Sequence, residues 1–136
     1  MTKSNKFVWV ILLLLLLHGV LGCSNSIKVS GKVTFDDGMP LEIGKVVFED
    51  DKHTYSSQIQ KDGTFSMGQL KDGQGIPVGK YRVYIAEAII EEFTPDSPFP
   101  KVTELVAAKY RNSQTSGFEY DIQKKTTDIS LVVEKP

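Results

Sequence analysis

The stretch Gly79-Lys80-Tyr81-Arg82-Val83-Tyr84-Ile85-Ala86-Glu87 decides the fold of this chain. Apolar and polar positions alternate along it, with Tyr81, Val83 and Ile85 on one side and Lys80, Arg82 and Tyr84 on the other. A period of two with β-branched and aromatic residues predicts a half-buried β-strand. Because one face of the strand is polar, the pattern favours an antiparallel sheet with one face toward a core.

The same alternation recurs in six further segments: residues 27–35, 44–49, 53–60, 65–67, 116–123 and 128–134. Turn residues separate them, and Asp62-Gly63 favours a tight hairpin between two of the strands. Short alternating strands with little helix predict an all-β protein. We therefore expect residues 27–135 to form a single seven-stranded, immunoglobulin-like antiparallel β-sandwich.

Residues 88–114 interrupt this pattern. Thr94–Pro100 contains three prolines and predicts irregular structure, whereas residues 102–110 could form a turn or two of helix. We expect a long loop or crossover, a kind of segment that is often functional. Its Phe93 and Phe99, with Tyr84 and Tyr110, form the predicted partner surface. The alternative is a crossover packed on a sheet edge.

The beginning of the chain reads as a secretory signal. Two lysines, Lys3 and Lys6, precede the apolar run of residues 7–17, and a small residue, Gly22, stands at the expected cut site. The run is shorter than a membrane-spanning helix requires. We expect residues 1–22 to be a signal peptide that forms a helix, with cleavage between Gly22 and Cys23.

Val20-Leu21-Gly22-Cys23 resembles the bacterial lipobox, whose cysteine is lipidated and becomes the new N-terminus. The resemblance implies that Cys23 carries acyl chains such as palmitate and that residues 23–26 form a short tether. Several chains together anchor a protein stably, whereas one does not. Ser24 replaces the aspartate common in inner-membrane lipoproteins, which favours the outer membrane in a cell with two. The alternative is a secreted protein, cut elsewhere, with a free thiol.

The order of several motifs resembles the carboxypeptidase regulatory-like domains, which are transthyretin-like. The motifs are residues 29–35, 38–41, 44–48, 62–65 and 76–83. Lys109-Tyr110 and Thr115–Phe118 are similar to short bacterial lipoproteins built from one such domain, although Phe118 replaces a leucine. The resemblance implies a seven-stranded prealbumin-type sandwich, no catalytic residues, and a role as an accessory or interaction module.

The composition offers little for catalysis or nucleic-acid binding. The chain has 16 Lys and Arg against 17 Asp and Glu, and cleavage would remove two of the lysines, so no basic surface is expected. Cys23 is its one cysteine, so no intramolecular disulfide can form. His53 would be the single histidine after cleavage. A calcium site would require Asp36-Asp37 and Glu49–Asp51 to converge. We expect neither a cofactor nor a metal.

These observations predict a non-enzymatic, lipid-anchored interaction or structural module at the cell envelope that meets a protein or a glycan. Two alternatives make different structural predictions. A carbohydrate-binding module would show clustered, exposed aromatic residues, the tyrosines above all. A small hydrolase would hold His53 in a pocket beside a serine and a carboxylate.

Overall fold

The computed structural model describes residues 26–68 and 73–136, and these residues form an all-β, sandwich-like fold, as the alternation predicts. The strands are β1 Val29–Phe35, β2 Lys45–Glu49, β3 Thr54–Gln58, β4 Thr64–Ser66, β5 Gly79–Ala86, β6 Ile89–Glu92, β7 Lys101–Glu104, β8 Phe118–Ile122 and β9 Thr126–Val133. A short 3-10 helix covers Ala108–Arg111. The predicted signal peptide lies outside the described residues, within which no helix is both long enough and apolar enough to cross a membrane.

Seven of the strands form two sheets, ordered β4-β1-β9 and β3-β2-β5-β8. The predicted count of seven strands is not confirmed, because β6 and β7 add a two-stranded hairpin within residues 88–114. The prediction of a purely antiparallel sandwich is wrong for one pair, since β1 and β9 run parallel. Asp62-Gly63 does make a tight turn, with Gly63 at φ 82°, but β3 and β4 belong to different sheets.

The alternating apolar residues of both sheets share one core. Phe48 on β2 is fully buried, and its ring centroid lies 6.4 Å from that of Phe65 on the opposite sheet. The rings of Tyr81 and Tyr120 lie 5.8 Å and 6.1 Å from it. The contact with Phe65 joins the two sheets, whereas Tyr81 and Tyr120 lie on the same sheet as Phe48.

The segment 105–110 closes the sandwich beyond the hairpin. The amide of Ala107 donates to the carbonyl of Glu134 at 2.9 Å, and Val106 is fully buried. The predicted helix over residues 102–110 is wrong in its first part, because residues 102–104 belong to β7. Only its last residues are helical, in the 3-10 helix Ala108–Arg111. Thr94–Pro100 has no regular structure, as its prolines predict.

One end of the sandwich lies next to the first described residues, and we call it the N-terminal pole. The opposite end, where β1 finishes, is the distal pole. At the N-terminal pole, Ile27 pairs with Ile76 just before β1 and β5 begin. At the distal pole, β1 ends at Phe35 and β5 leads through Ala88 into the hairpin. The seven residues of β1 separate the poles by about 23 Å, at about 3.3 Å per residue.

Burial of Tyr81 predicts an alkaline limit to stability. Its hydroxyl donates to the carbonyl of Pro77 at 2.8 Å, and burial, with smaller effects from Tyr55 and Asp50, raises the pKa of Tyr81 to about 12. Since the folded-state pKa exceeds the ordinary 10.0, this contribution to stability is complete below pH 10 and disappears as the pH rises toward 12.

We expect the denaturant concentration at the unfolding midpoint to decrease as the pH is raised from about 10 to about 12. Tyr81→Phe, which cannot ionise, should show a smaller fall even though its stability at neutral pH is lower. Midpoints measured at a series of pH values test this. Equal pH dependence in the two proteins would contradict it.

Candidate partner-binding surface

Exposed apolar side chains concentrate at the distal pole. Eight large hydrophobic residues are exposed among the described residues, and six of them lie there: Met39, Ile43, Ile90, Phe93, Phe99 and Val102. Phe93 and Phe99 have relative exposures of 75% and 76%. Scattered exposed apolar residues are ordinary, but a contiguous group of this kind marks an interaction site.

A groove of about 720 Å³ lies at the base of the hairpin. Its apolar lining is formed by Phe35, Met39, Pro40, Ile43, Ile90 and Leu105. Glu42, Lys61, Glu104 and Lys135 stand among the charged residues that line it. Because Ile90 lies on β6, the groove and the hairpin form one continuous surface, which we call the distal surface.

The two phenylalanines lie near the tip of the hairpin. Phe93 directly follows β6, and Phe99 lies within the irregular segment Thr94–Pro100. β6 and β7 pair with Ile90 opposite Thr103, Glu91 opposite Val102, and Glu92 opposite Lys101. At the tip, the hydroxyl of Ser97 donates to the carbonyl of Phe99 at 2.8 Å and accepts from its amide at 3.2 Å. Within the described residues neither strand pairs with any other strand, so the outer edge of β6 is open.

The distal surface is acidic once its ion pairs are taken into account. Four cations of this pole are paired, in Lys45–Glu87, Lys109–Glu134, Arg111–Glu104 and Lys135–Asp37, at 2.7–2.8 Å. The hydrogen bond from Lys135 lowers the pKa of Asp37, and that from Lys109 lowers the pKa of Glu134. The pole's described side chains without a salt-bridge partner include Asp36, Glu42, Asp62, Glu91, Glu92 and Asp96 against Lys61 and Lys101. The unpaired charges therefore leave an acidic excess.

Of the predicted surface residues, only Phe93 and Phe99 are exposed on the same hairpin. Tyr84 lies half-buried on the outer face of the four-stranded sheet, opposite Val47. Tyr110 was wrongly placed on the surface. It is 8% exposed, its ring stacks on Phe118 at 5.5 Å, and its hydroxyl donates to Glu134 at 3.1 Å.

The alternation pattern did not predict the aliphatic part of the distal surface. Ile90 and Val102 are exposed on opposite strands of a hairpin that the pattern did not reveal. The sequence feature that could have predicted β6 is the β-branched pair Ile89-Ile90 immediately before two glutamates. Gly22 and Cys23, the predicted cleavage and lipidation sites, lie outside the described residues.

The residues considered for catalysis do not form the arrangement that hydrolysis requires. His53 is exposed at the N-terminal pole, with Nδ1 3.6 Å from a carboxylate oxygen of Asp50. The recess beside it is lined by Asp50, Asp51, Lys52, Tyr55 and Pro77, and this lining contains no serine. The structure therefore gives His53 a carboxylate neighbour without a nucleophile.

The considered calcium ligands lie at opposite ends of the molecule. Asp36-Asp37 is at the distal pole, where Asp37 pairs with Lys135 at 2.8 Å. Glu49–Asp51 is at the N-terminal pole, where the carboxylate of Asp50 accepts from the amides of Lys52 and His53. The two acidic segments cannot share an ion, and the described part of the chain contains no group of three or more His, Cys, Asp or Glu arranged to hold a metal.

A second recess, of about 560 Å³, lies on the outer side of the four-stranded sheet. Arg82 occupies it and contacts Glu49 at 3.8 Å and Asp51 at 3.5 Å. Asp121 lies opposite Lys80 and Glu119 opposite Arg82, and both add negative charge to the recess. This recess is polar and internally ion-paired, so the distal surface is the better candidate for a partner.

Comparison of the chain with family models, with curated proteins and with solved structures found no match. The resemblance to carboxypeptidase regulatory-like domains therefore stays a prediction from the motifs that carry it.

Proposed function

We propose that this protein is a lipid-anchored, non-enzymatic interaction module of the cell envelope, held by acyl chains on Cys23. The observation that carries the proposal is the concentration of exposed apolar side chains on the distal surface. Interfaces are characterised by such apolar and aromatic cores within a polar rim. A transthyretin-like sandwich would serve as the rigid support for this surface.

The positions of the two poles support display away from a membrane. Ser26 directly precedes the Ile27–Ile76 pair, so a tether of residues 23–26 would keep the N-terminal pole beside the lipid. The distal surface would then stand at least the length of β1 above the membrane, within reach of a protein in the surrounding compartment. Ser24 favours the outer membrane where two membranes exist.

The alternative of a carbohydrate-binding module receives less support. Its aromatic platform would need exposed tyrosines, but Tyr81 and Tyr110 are buried, and Tyr84 and Tyr120 are half-buried. The two aromatic rings most exposed in the described residues belong to Phe93 and Phe99, and the other large exposed side chains of the hairpin are aliphatic, Ile90 and Val102. We therefore favour a protein partner.

The anchor is tested by the intact mass of membrane-extracted protein beside a Cys23→Ser variant. We expect the wild-type chain to start at Cys23 with added acyl mass and to sediment with membranes. The variant should lack that mass, because serine has no thiol to accept the acyl group. An unmodified wild-type chain cut at another site would refute the anchor.

The display surface is tested by photo-crosslinking in intact cells. A photoreactive residue replaces Phe93 in one variant and Val78, which is 51% exposed near the N-terminal pole, in the control. We expect a discrete protein adduct from position 93 and none of the same mass from position 78. Identical adduct patterns would show that the distal surface has no selective partner.

A further inference from the structure

Resting on the proposed function, we infer that the distal surface binds an extended polypeptide segment in which two consecutive basic residues lie between two apolar ones. The segment adds as a strand to the open edge of β6, beside the apolar groove. This inference specifies the chemistry of the partner, which the proposed function leaves open. Backbone pairing, side-chain order and charge support it separately.

The backbone of β6 is available for strand addition. Ile89–Glu92 is paired with β7 on one side and with no described strand on the other. The residues of an unpaired edge present N–H and C=O groups to an incoming strand. The groove borders this strand at Ile90, so apolar surface lies directly beside the edge.

The order of side chains along β6 specifies the order in the bound strand. Ile90, Glu91 and Glu92 lie on β6, Phe93 follows directly after the strand, and all four side chains are exposed. Directly opposite residues of adjacent strands share a face and interact. A bound strand should therefore place apolar residues opposite Ile90 and Phe93, and basic residues opposite Glu91 and Glu92. This order reads the same in both directions, so it holds for parallel and antiparallel addition.

Charge excludes two other occupants of the distal surface. Among the described residues of this pole without a salt-bridge partner, carboxylates outnumber cations, and three of the carboxylates lie on the hairpin. A second copy of the chain would bring the same carboxylates face to face, and an anionic lipid surface would repel them as well. A basic segment neutralises this excess. Because the charges are exposed, the attraction should weaken as salt is added.

The test measures fluorescence anisotropy with the full lipidated protein and three labelled synthetic peptides. The first has a Val-Lys-Lys-Val centre, the second a Val-Glu-Glu-Val centre, and the third contains the residues of the first in a different order. We expect the first to bind most tightly. The double variant Glu91→Lys/Glu92→Lys should raise its dissociation constant about tenfold and should prefer the glutamate peptide.

Glu119→Lys serves as the matched control, since Glu119 is exposed on β8 outside the distal surface, and we expect it to leave peptide binding unchanged. Equal affinity for the three peptides, or an equal effect of the control substitution, would overturn the inference. If no peptide binds while the crosslink from position 93 persists, the inference falls and the proposed function stands. If the position-93 crosslink is also lost, both fall.

Discussion

Phe48→Ala should lower the free energy of unfolding by about 3–5 kcal/mol, the cost of removing a buried phenylalanine. Phe48 is fully buried, and its ring contacts Phe65, Tyr81 and Tyr120 from both sheets. The substitution would leave a cavity between the sheets, where neighbours held on three strands cannot easily close it. Since domains of this size are stable by about 5–15 kcal/mol, much of the folded population could be lost.

Chemical denaturation of the wild type and the variant measures this difference. Phe93→Ala is the matched control, because it removes the same atoms from a side chain that is 75% exposed. We expect its effect on stability to stay within about 0.5 kcal/mol. Similar losses in the two variants would show that Phe48 does not join the sheets as described.

Gly31→Ala should be the second strongly destabilising change, costing about 1–3 kcal/mol through overpacking. A methyl group at Gly31 would run into the backbone carbonyl of Ile129, and it would lie 2.8 Å from the Cβ of that residue. The obstacle is backbone, so the parallel strands β1 and β9 would have to separate at this point. The register between them already shifts between Val29 and Gly31.

Gly79→Ala provides the control on β5. A methyl group there would approach Tyr81 no closer than 3.5 Å, an ordinary contact distance. Because alanine loses less backbone entropy than glycine on folding, we expect no loss of stability and a gain of up to about 1 kcal/mol. A Gly31→Ala protein as stable as the Gly79→Ala protein would argue against the close approach of β1 and β9.

The sequence predicted the all-β, sandwich-like fold because the side chains of its strands alternate with a period of two. On β5, Tyr81, Val83 and Ile85 are buried as expected. Alternation reports only which face of a strand is buried, so it could not assign strands to sheets. The parallel pairing of β1 with β9 and the separation of β3 from β4 depend on tertiary contacts that no local pattern encodes.

The candidate site was predicted only in part because its parts come from distant segments. Phe93 and Phe99 stood out beside prolines, but β6 and β7 are four residues long and lack a clear apolar face. Met39 and Ile43 lie in the segment after β1 and line the same groove as Ile90. This contact between distant segments cannot be predicted from a local sequence pattern. Tyr110 was misplaced because a 3-10 helix, with Val106 buried before it, turns its ring onto Phe118.

The parallel pair β1–β9 also determines when the domain can finish folding. β1 is the central strand of its sheet and lies near the start of the chain, whereas its neighbour β9 ends at Val133. Contacts between such distant segments carry a large loop-closure cost and form late. During synthesis from the N-terminus, β1 can therefore pair with β4 but lacks its other neighbour until β9 has been made. Truncation before Thr126, which removes all of β9, should therefore leave one edge of β1 unpaired and favour aggregation over a slightly shortened domain.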